Sequence, residues 1–411
     1  MSRLAGSAKL LRAMNSSAAL AHLLQAGQLT RAELRELTGL SKPTTSEMLR
    51  VLTDAGLAVV TGRTAGGVGP TAEIYAPNGD AAYAVAISVR DTLGADQPDL
   101  ALAMCDLGGT MRDRVETRVD FAATTPAEAI TAAVTAACRR AGIDPARVRH
   151  VQVGVAGSYD ERADRLHHVD VPGWDRPGIA AHLRAHPRIG PETTLAIEND
   201  VKLAAIAERH RGVGAGVDSF CLLWLGTGVG LAIDLGGSLL RGARGGAGEI
   251  GYLPVAALRT PGTPSTATPA DMQDLIGGGA VLDLATDNKI MADTPAEAMT
   301  LAVAATGRAA DRFLAEVGRR IAFALATVVG VLDPSLVVLA GEVAQAGGTR
   351  LRDAVAAAMH SSAPVTFPID GDVQIATTSV VDDAVLLGGL DAGLTSLRES
   401  LINSLAQPST D

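Results

Sequence analysis

Four short stretches hold residue types that could do chemistry together. Glu198-Asn199-Asp200 stands where an apolar strand pattern ends and a helical pattern begins. An Asp there is partly desolvated and can take a proton from a hydroxyl, while the Asn beside it offers a donor and an acceptor. The same residues also make an ordinary helix cap. Gly226-Thr227-Gly228-Val229-Gly230 leaves backbone amides free to hold an anion, or simply closes a hairpin. Ala247-Gly248-Glu249-Ile250-Gly251-Tyr252 sets one carboxylate among glycines, suited to vicinal hydroxyls or to a plain surface turn. Gly341, with Gly347-Gly348, lets an adenine approach the backbone or turns a strand into a helix. Cys105, Cys138 and Cys221 stand far apart, with no CxxC pair and no zinc spacing, so they read as buried reduced thiols.

The elements that must position these groups follow from hydrophobic periodicity and capping residues. Ala81 to Val89 reads as a strand, and Leu100 to Asp106 with Arg112 to Val119 as a hairpin or meander. Thr125 to Ala141 reads as a helix opened by Pro126. Val148 to Val155 and Thr194 to Ile197 read as strands, and Asp200 to Arg211 as a helix. Ser219 to Leu225 and Gly228 to Leu235 form a hairpin-like pair. Pro254 to Pro269 is a loop, helices follow through residue 330, and Ser335 to Leu339 is a strand. The sum is an α/β body with two sheet-centred halves.

The first 80 residues differ. A helix capped at Asn15 or Ser16 runs to Gln25. Thr30-Arg31-Ala32-Glu33 is a capping-box pattern opening a second helix that ends near Gly39. Ser41 caps a third, with Pro43 in its first turn and Gly56 as its stop. A strand (Leu57 to Val60), a Gly-rich loop (Gly62 to Pro70) and a second strand (Glu73 to Ala76) complete a winged helix-turn-helix, a unit whose third helix enters the DNA major groove. The expected DNA-facing residues are Ser41, Lys42, Thr44, Thr45, Ser46 and Arg50 of that helix and Arg63 of the wing. Hydroxyls and amides hold phosphates, and Lys or Arg reaches guanine edges. Glu47 on the same helix repels phosphate.

Composition bounds the rest. The chain has 411 residues, a net charge of −10, 47% hydrophobic and 3% aromatic residues. Residues 1–80 carry eight basic and six acidic residues, so a polyanion partner would meet this end. No apolar run approaches the ~18 residues of a membrane span, and no secretory signal pattern opens the chain, so a cytoplasmic location is expected.

The ordered motifs resemble the ROK (repressor, open reading frame, kinase) family. They are "LTRAELRELTGLSKPTTSEMLRVLTDAGL" in the head, then "VGVAGSYD", "VPGW", "IENDVKLAAIAE", "LGTGVGLAIDLGGSLLRGARGGAGEIGY", "LDPSLVVLAGEVAQAGG" and "DDAVLLGGLDAGL". The resemblance spans about residues 10–395. It implies residues 1–78 as a winged helix-turn-helix and 79–411 as a two-lobed actin-like ATPase (sugar kinase-like) domain. Residues 79–198 with 384–411 would form the smaller lobe and 199–383 the larger. It also implies Asp200 as the family's base and Asn199, Glu249, Tyr252 and Gln273 around a sugar. Gly226, Thr227, Gly228 and Gly230 would remain of the second phosphate loop.

The chain departs from the family pattern in three places. Family kinases end the first strand with Asp-x-Gly-Gly-Thr to hold ATP phosphates and magnesium; here the strand ends "AISVRDTLGADQPD". Asp106 to Thr110 spells the motif after the second strand, where it reads as a turn. The zinc element is missing as well: Tyr252 replaces its His, and Asp271 stands where a cysteine would. The wing reads Val68-Gly69-Pro70 instead of Gly-Arg-Pro. The resulting expectation is a sugar-sensing repressor that binds an operator in double-stranded DNA as a homodimer or homotetramer, with no metal, no cofactor and no kinase activity. The alternatives are an active ATP-dependent sugar kinase with a DNA-binding head, and a DNA-binding regulator whose body only oligomerises or binds a non-sugar ligand.

Overall fold

The computed structural model describes residues 2–64, 71–90, 100–169, 171–186, 190–255, 271–361 and 373–406. The chain opens with α1 (Ser2–Ala26), β1 (Leu29–Thr30), α2 (Arg31–Thr38), α3 (Lys42–Asp54), β2 (Ala58–Arg63) and β3 (Glu73–Pro77). Local chemistry sets most of these boundaries. The Thr30–Glu33 capping box is formed, Gly39 ends α2 at φ 66°, and the Ser41 hydroxyl accepts from the Thr44 amide. β2 and β3 pair antiparallel, and β1 adds to β3. Leu20, Leu23, Leu34, Leu49 and Leu52 fill the core beneath them. The first helix begins far earlier than Asn15, which lies inside α1. The wing residues 65–70, including Val68, Gly69 and Pro70, lie outside the described residues.

The body follows with β4 (Tyr83–Val89), β5 (Leu100–Asp106), β6 (Met111–Thr117), α4 (Pro126–Ala141), β7 (Val148–Val155), β8 (Ser158–Asp160), β9 (Arg165–His167), α5 (Ile179–Arg184), β10 (Thr194–Asn199) and α6 (Asp200–Arg211). Next come β11 (Phe220–Leu225), β12 (Val229–Leu235), β13 (Ser238–Leu239), α7 (Met272–Ile276), α8 (Gly278–Asp287), α9 (Pro295–Ala304) and α10 (Arg308–Leu332). β14 (Leu336–Ala340), α11 (Glu342–Ser361), β15 (Gln374–Thr377) and α12 (Ala384–Ala406) complete it. One five-stranded sheet runs β10-β7-β4-β5-β6 and the other β13-β12-β11-β14-β15. In the first, β4, β7 and β10 are parallel; β4 is wholly buried and β7 largely so, which is why β4 reads as a nearly continuous apolar run. In the second, β11, β14 and β15 are parallel and β12 antiparallel.

α6 and α12 lie against each other between these sheets. A Cβ on Gly388 of α12 would fall 1.7 Å from the Leu203 carbonyl oxygen of α6, so the two backbones touch there. Arg211 and Asp391 pair across the same contact. Further along, Leu401, Ile402 and Leu405 of α12 pack on the core beneath α1, and the Ser17 hydroxyl donates to the Ile402 carbonyl at 2.8 Å. All three cysteines are buried, which pushes the Cys105 and Cys221 thiols up to about 12 and Cys138 to about 11. No described helix is long and apolar enough to cross a membrane.

Candidate functional site

Ligands of open α/β sheets bind beyond the carboxyl ends of the parallel strands. Val89, Val155 and Asn199 stand in register at that end of the first sheet. Trp224 and Ala340 stand in register at the corresponding end of the second. The two ends are joined by α6, whose Val201 packs directly against Gly230 of β12. Gly230 thus serves helix–sheet packing from within a strand. The Asp106–Thr110 turn lies at the opposite end, because Asp106 pairs with Tyr83. There the Asp106 carboxylate accepts from the Thr110 amide at 2.9 Å and from Arg112 at 3.2 Å. The motif-like string is a β-turn between antiparallel strands, as its position after the second strand indicated. Residues 91–99, where the first phosphate loop would fall, lie outside the described residues.

Asn199 and Asp200 open α6. The Asn199 side-chain Oδ1 accepts from the Lys202 amide at 3.1 Å, and its Nδ2 donates to the Gly157 carbonyl at 3.1 Å. The helix-cap role is therefore real, and it leaves one N–H and one lone pair for a ligand. Asp200 keeps some exposed surface. Burial pushes its carboxyl up to about 6, the neighbouring Glu249 and Glu342 carboxylates push the same way, and the Val201 amide opposes them. A base with that affinity for protons is ionised at neutral pH yet takes a proton readily.

Glu249 is partly buried and comes from the turn that packs on β12, where the Leu231 amide donates to the Gly248 carbonyl. Its Oε1 accepts from the Ser158 hydroxyl at 2.5 Å. Tyr252, on the same turn, stacks on His168 with ring centroids 4.3 Å apart. The β8–β9 hairpin and its following residue therefore grip the Glu249 turn twice. Lys202, buried beside them, donates to the Gly245 carbonyl, and burial lowers its pKa. Glu198 is held by Arg241 at 2.5 Å and by the Asn199 amide, so it braces the site without facing it.

The Gln273 amide is spent on the β11–β12 turn. Its Oε1 accepts from the Val229 amide at 3.0 Å and its Nε2 donates to the Thr227 carbonyl at 2.9 Å. Both ends of the side chain clamp the β11–β12 turn. Asp271 caps α7 and exchanges hydrogen bonds with Asp274. Sequence reasoning missed Ser158, Lys202 and Glu342. Ser158 follows the Ala156-Gly157 turn, Lys202 interrupts the apolar face of α6, and Glu342 follows Gly341. Each had a local signal, but their partners lie 43 to 115 residues away.

On α3, Ser41, Lys42 and Arg50 are exposed and Thr44 and Ser46 partly so. Thr45 is fully buried and donates to the Ser41 carbonyl, so it leaves the DNA-facing set. Arg50 is gripped by Glu47 at 2.8 Å and Asp54 at 2.9 Å. Arg63 is exposed at the end of β2. A groove of about 800 Å³ beside β6 and α4, lined by Thr117, Glu128 and Arg140 among others, lies away from the cleft that holds Asp200.

The profile described as "ROK family" matches residues 93–392. A glucokinase of Halalkalibacterium halodurans is 25% identical over 253 residues, covering 58% of this chain and 74% of that one. Among solved structures, a ROK family transcriptional regulator described as a homologue of the E. coli MLC protein superposes with a TM-score of 0.73 at 16% identity. It covers 97% of this chain and 99% of its own. A ROK hexokinase from Thermus thermophilus superposes with a TM-score of 0.60 at 24% identity, over 77% of this chain and 99% of its own. The expectation that the chain is not an enzyme is corrected by the glucokinase relative. It rested on the missing Asp-x-Gly-Gly-Thr consensus, and a sequence consensus at one loop does not exclude phosphoryl transfer.

Proposed function

The chain belongs to the ROK family, and from that premise we propose that it is a sugar-responsive, DNA-binding transcriptional regulator acting as a repressor. The observation that carries this reading is the extent of the two structural likenesses. The regulator covers 97% of this chain and the hexokinase 77%, a difference of about the length of residues 1–78. We read residues 1–78 as a winged helix-turn-helix with α3 as its recognition helix and β2–β3 as its wing. Ser41, Lys42, Thr44, Ser46, Arg50 and Arg63 then face DNA, where hydroxyls and cations serve phosphates and base edges. Residues 79–411 form the sugar-binding body, with Asn199, Asp200 and Glu249 at the sugar and the Gly226–Gly228 turn at phosphate. Tyr252 closes one side of that cleft against His168. We further propose a cytoplasmic homodimer or homotetramer on a two-half-site operator, since half-sites must match a groove repeat of ~34–36 Å.

Phosphoryl transfer to the sugar is a second reading of the same body. It is favoured by the Asp200 carboxyl, held near 6 at the head of α6, and by the name of the glucokinase relative. If it operates, Asp200 takes the proton of the attacking sugar hydroxyl, and Asn199 and Glu249 hold the ring.

One experiment tests both. Fluorescence anisotropy on DNA from upstream of the gene, at several salt concentrations, is repeated with a panel of sugars and sugar phosphates. ADP release is followed in parallel with magnesium and ATP. Sequence-selective binding that one sugar shifts by 5–150-fold, the range of ~1–3 kcal/mol of coupling, supports the regulator. Sugar-dependent ADP release adds the enzyme. Absence of selective DNA binding at low salt with every effector defeats the regulator reading.

A further inference from the structure

The β11–β12 turn already holds an anion belonging to the chain itself. Glu342 is the first residue of α11, two residues beyond the last register pair of β11 and β14. Its Oε1 accepts from the Thr227 amide at 2.9 Å. A Cβ on Gly226 would lie 2.4 and 2.5 Å from the two Glu342 carboxylate oxygens, so the carboxylate rests against the bare Cα of that glycine. Only glycine at 226 allows this seat to exist. The turn cannot easily swing away from Glu342, because Gln273 clamps Thr227 and Val229 from the other side. Glu342 remains solvent-exposed, and its side-chain hydrogen bond among the described residues is the one to this seat.

We propose that Glu342 is a resident occupant of the phosphate seat in the Gly226–Gly228 turn, so that a magnesium-chelated nucleoside triphosphate enters only by displacing it. The proposal rests on reading this turn as a phosphate loop. Two anions cannot share one amide seat: their repulsion is added to the loss of the Thr227 hydrogen bond. Displacement has a neighbour to act on, since the Glu342 carboxylate is among the charges that raise Asp200. Swinging it out couples the occupancy of the phosphate seat to the proton affinity of the residue at the sugar end of the cleft. Glu342 thereby sets the nucleotide affinity of the body, and with it the weight of the kinase reading.

The test compares the full-length chain with its Glu342→Gln and Glu342→Ala variants. Calorimetric titrations use magnesium with a non-hydrolysable ATP analogue and, separately, inorganic tripolyphosphate. Thermal melting confirms folding, and Glu342→Gln preserves the side-chain shape should Glu342→Ala disturb the start of α11. The expected result is at least a tenfold gain in affinity for both ligands in Glu342→Ala, and a smaller gain in Glu342→Gln. Equal affinity in all three proteins overturns the gate while leaving the phosphate assignment of the turn standing. No binding of either ligand by any of the three overturns the phosphate assignment and the gate with it. Sugar-dependent DNA binding, measured on the same samples, is unaffected by that failure.

Discussion

Asp200 carries a cost that can be measured without any ligand. Its folded carboxyl stands near 6 against 3.8 for the free side chain. Below about pH 4 the group is protonated whether folded or unfolded and contributes nothing. Between about pH 4 and pH 6 the unfolded chain ionises it while the folded protein still holds the proton, so stability falls as pH rises through that window and is level above it, where the charge sits among Glu249 and Glu342. Asp200→Asn keeps an oxygen for the Val201 amide and removes the charge. It should raise unfolding free energy at pH 7.5 by about 1–3 kcal/mol, since each tenfold difference in proton affinity between folded and unfolded chain is worth about 1.4 kcal/mol. It should leave stability at about pH 3 nearly unchanged, and any phosphoryl transfer should be lost. Urea melts at the two pH values check this, and an equal effect at both would show that the charge is not the cause. On α3 the charge at issue is a cation. Arg50 must leave Glu47 and Asp54 before it can reach DNA. Glu47→Gln should therefore tighten operator binding several-fold and steepen the dependence of log K on log salt by about one unit. An unchanged slope would mean that Arg50 does not meet phosphate.

Helices and strands show where local chemistry decides and where it does not. The contact of α6 with α12 depends on Gly388, whose added Cβ would fall 1.7 Å from a carbonyl oxygen. Gly388→Ala must therefore push the helices apart, at a cost of about 1–3 kcal/mol. Gly393→Ala, whose Cβ would meet the His150 ring at 3.1 Å and stand in ordinary contact with Gln152 and Ala84, should cost less. Chemical denaturation of the two variants tests the difference, and equal midpoints would refute the close backbone contact. The same helix shows what a sequence hides. The α2 and α3 boundaries were legible because Thr30, Glu33, Gly39 and Ser41 act within a few residues of themselves. α6 was legible to the residue because Asn199 caps it and Gly212 follows it. α12 was recognisable only as a family segment, since Gly388-Gly389 costs a helix about 1 kcal/mol per residue. What offsets that is packing on α6, some 180 residues away. The short β8–β9 hairpin and β15 were unseen for the same reason. At the site, Asn199 and Glu249 bond to the adjacent residues Gly157 and Ser158, and the Glu249 charge reaches Asp200. Gln273 has the expected neighbourhood but clamps a turn, and Glu342 stayed invisible because Thr227 lies 115 residues before it.

Across the whole molecule, α12 is the one described element that touches α6, β4, β7 and α1 at once. α6 begins at Asn199 and Asp200, so a ligand there bears on the first turn of a helix whose side lies along α12. The far end of α12 supports the core of the N-terminal unit through Leu401, Ile402, Leu405 and the Ser17 hydrogen bond. On the proposed function, a helix spanning both is a physical route by which ligand binding would reach α3, because packed helices shift as units. Continuity alone does not establish coupling, so the route must be broken to be tested. Removing residues 401–411 deletes the Leu401, Ile402 and Leu405 side chains and the Ser17 hydrogen-bond acceptor that meet the core beneath α1, and leaves the α6 contact at Gly388 and Asp391 intact. Sugar affinity should stay within about twofold, and DNA binding without sugar should persist because Leu20, Leu23, Leu34, Leu49 and Leu52 remain. The sugar-induced change in operator affinity should collapse from the 5–150-fold range to under twofold. The double variant Leu401→Ala/Leu405→Ala repeats the test with the helix in place, should truncation unfold the head, and should lower the response part of the way. Anisotropy titrations with and without sugar read all three quantities. A full response in the truncated chain would mean that the signal travels by another path, through the β3–β4 connection or across a subunit interface.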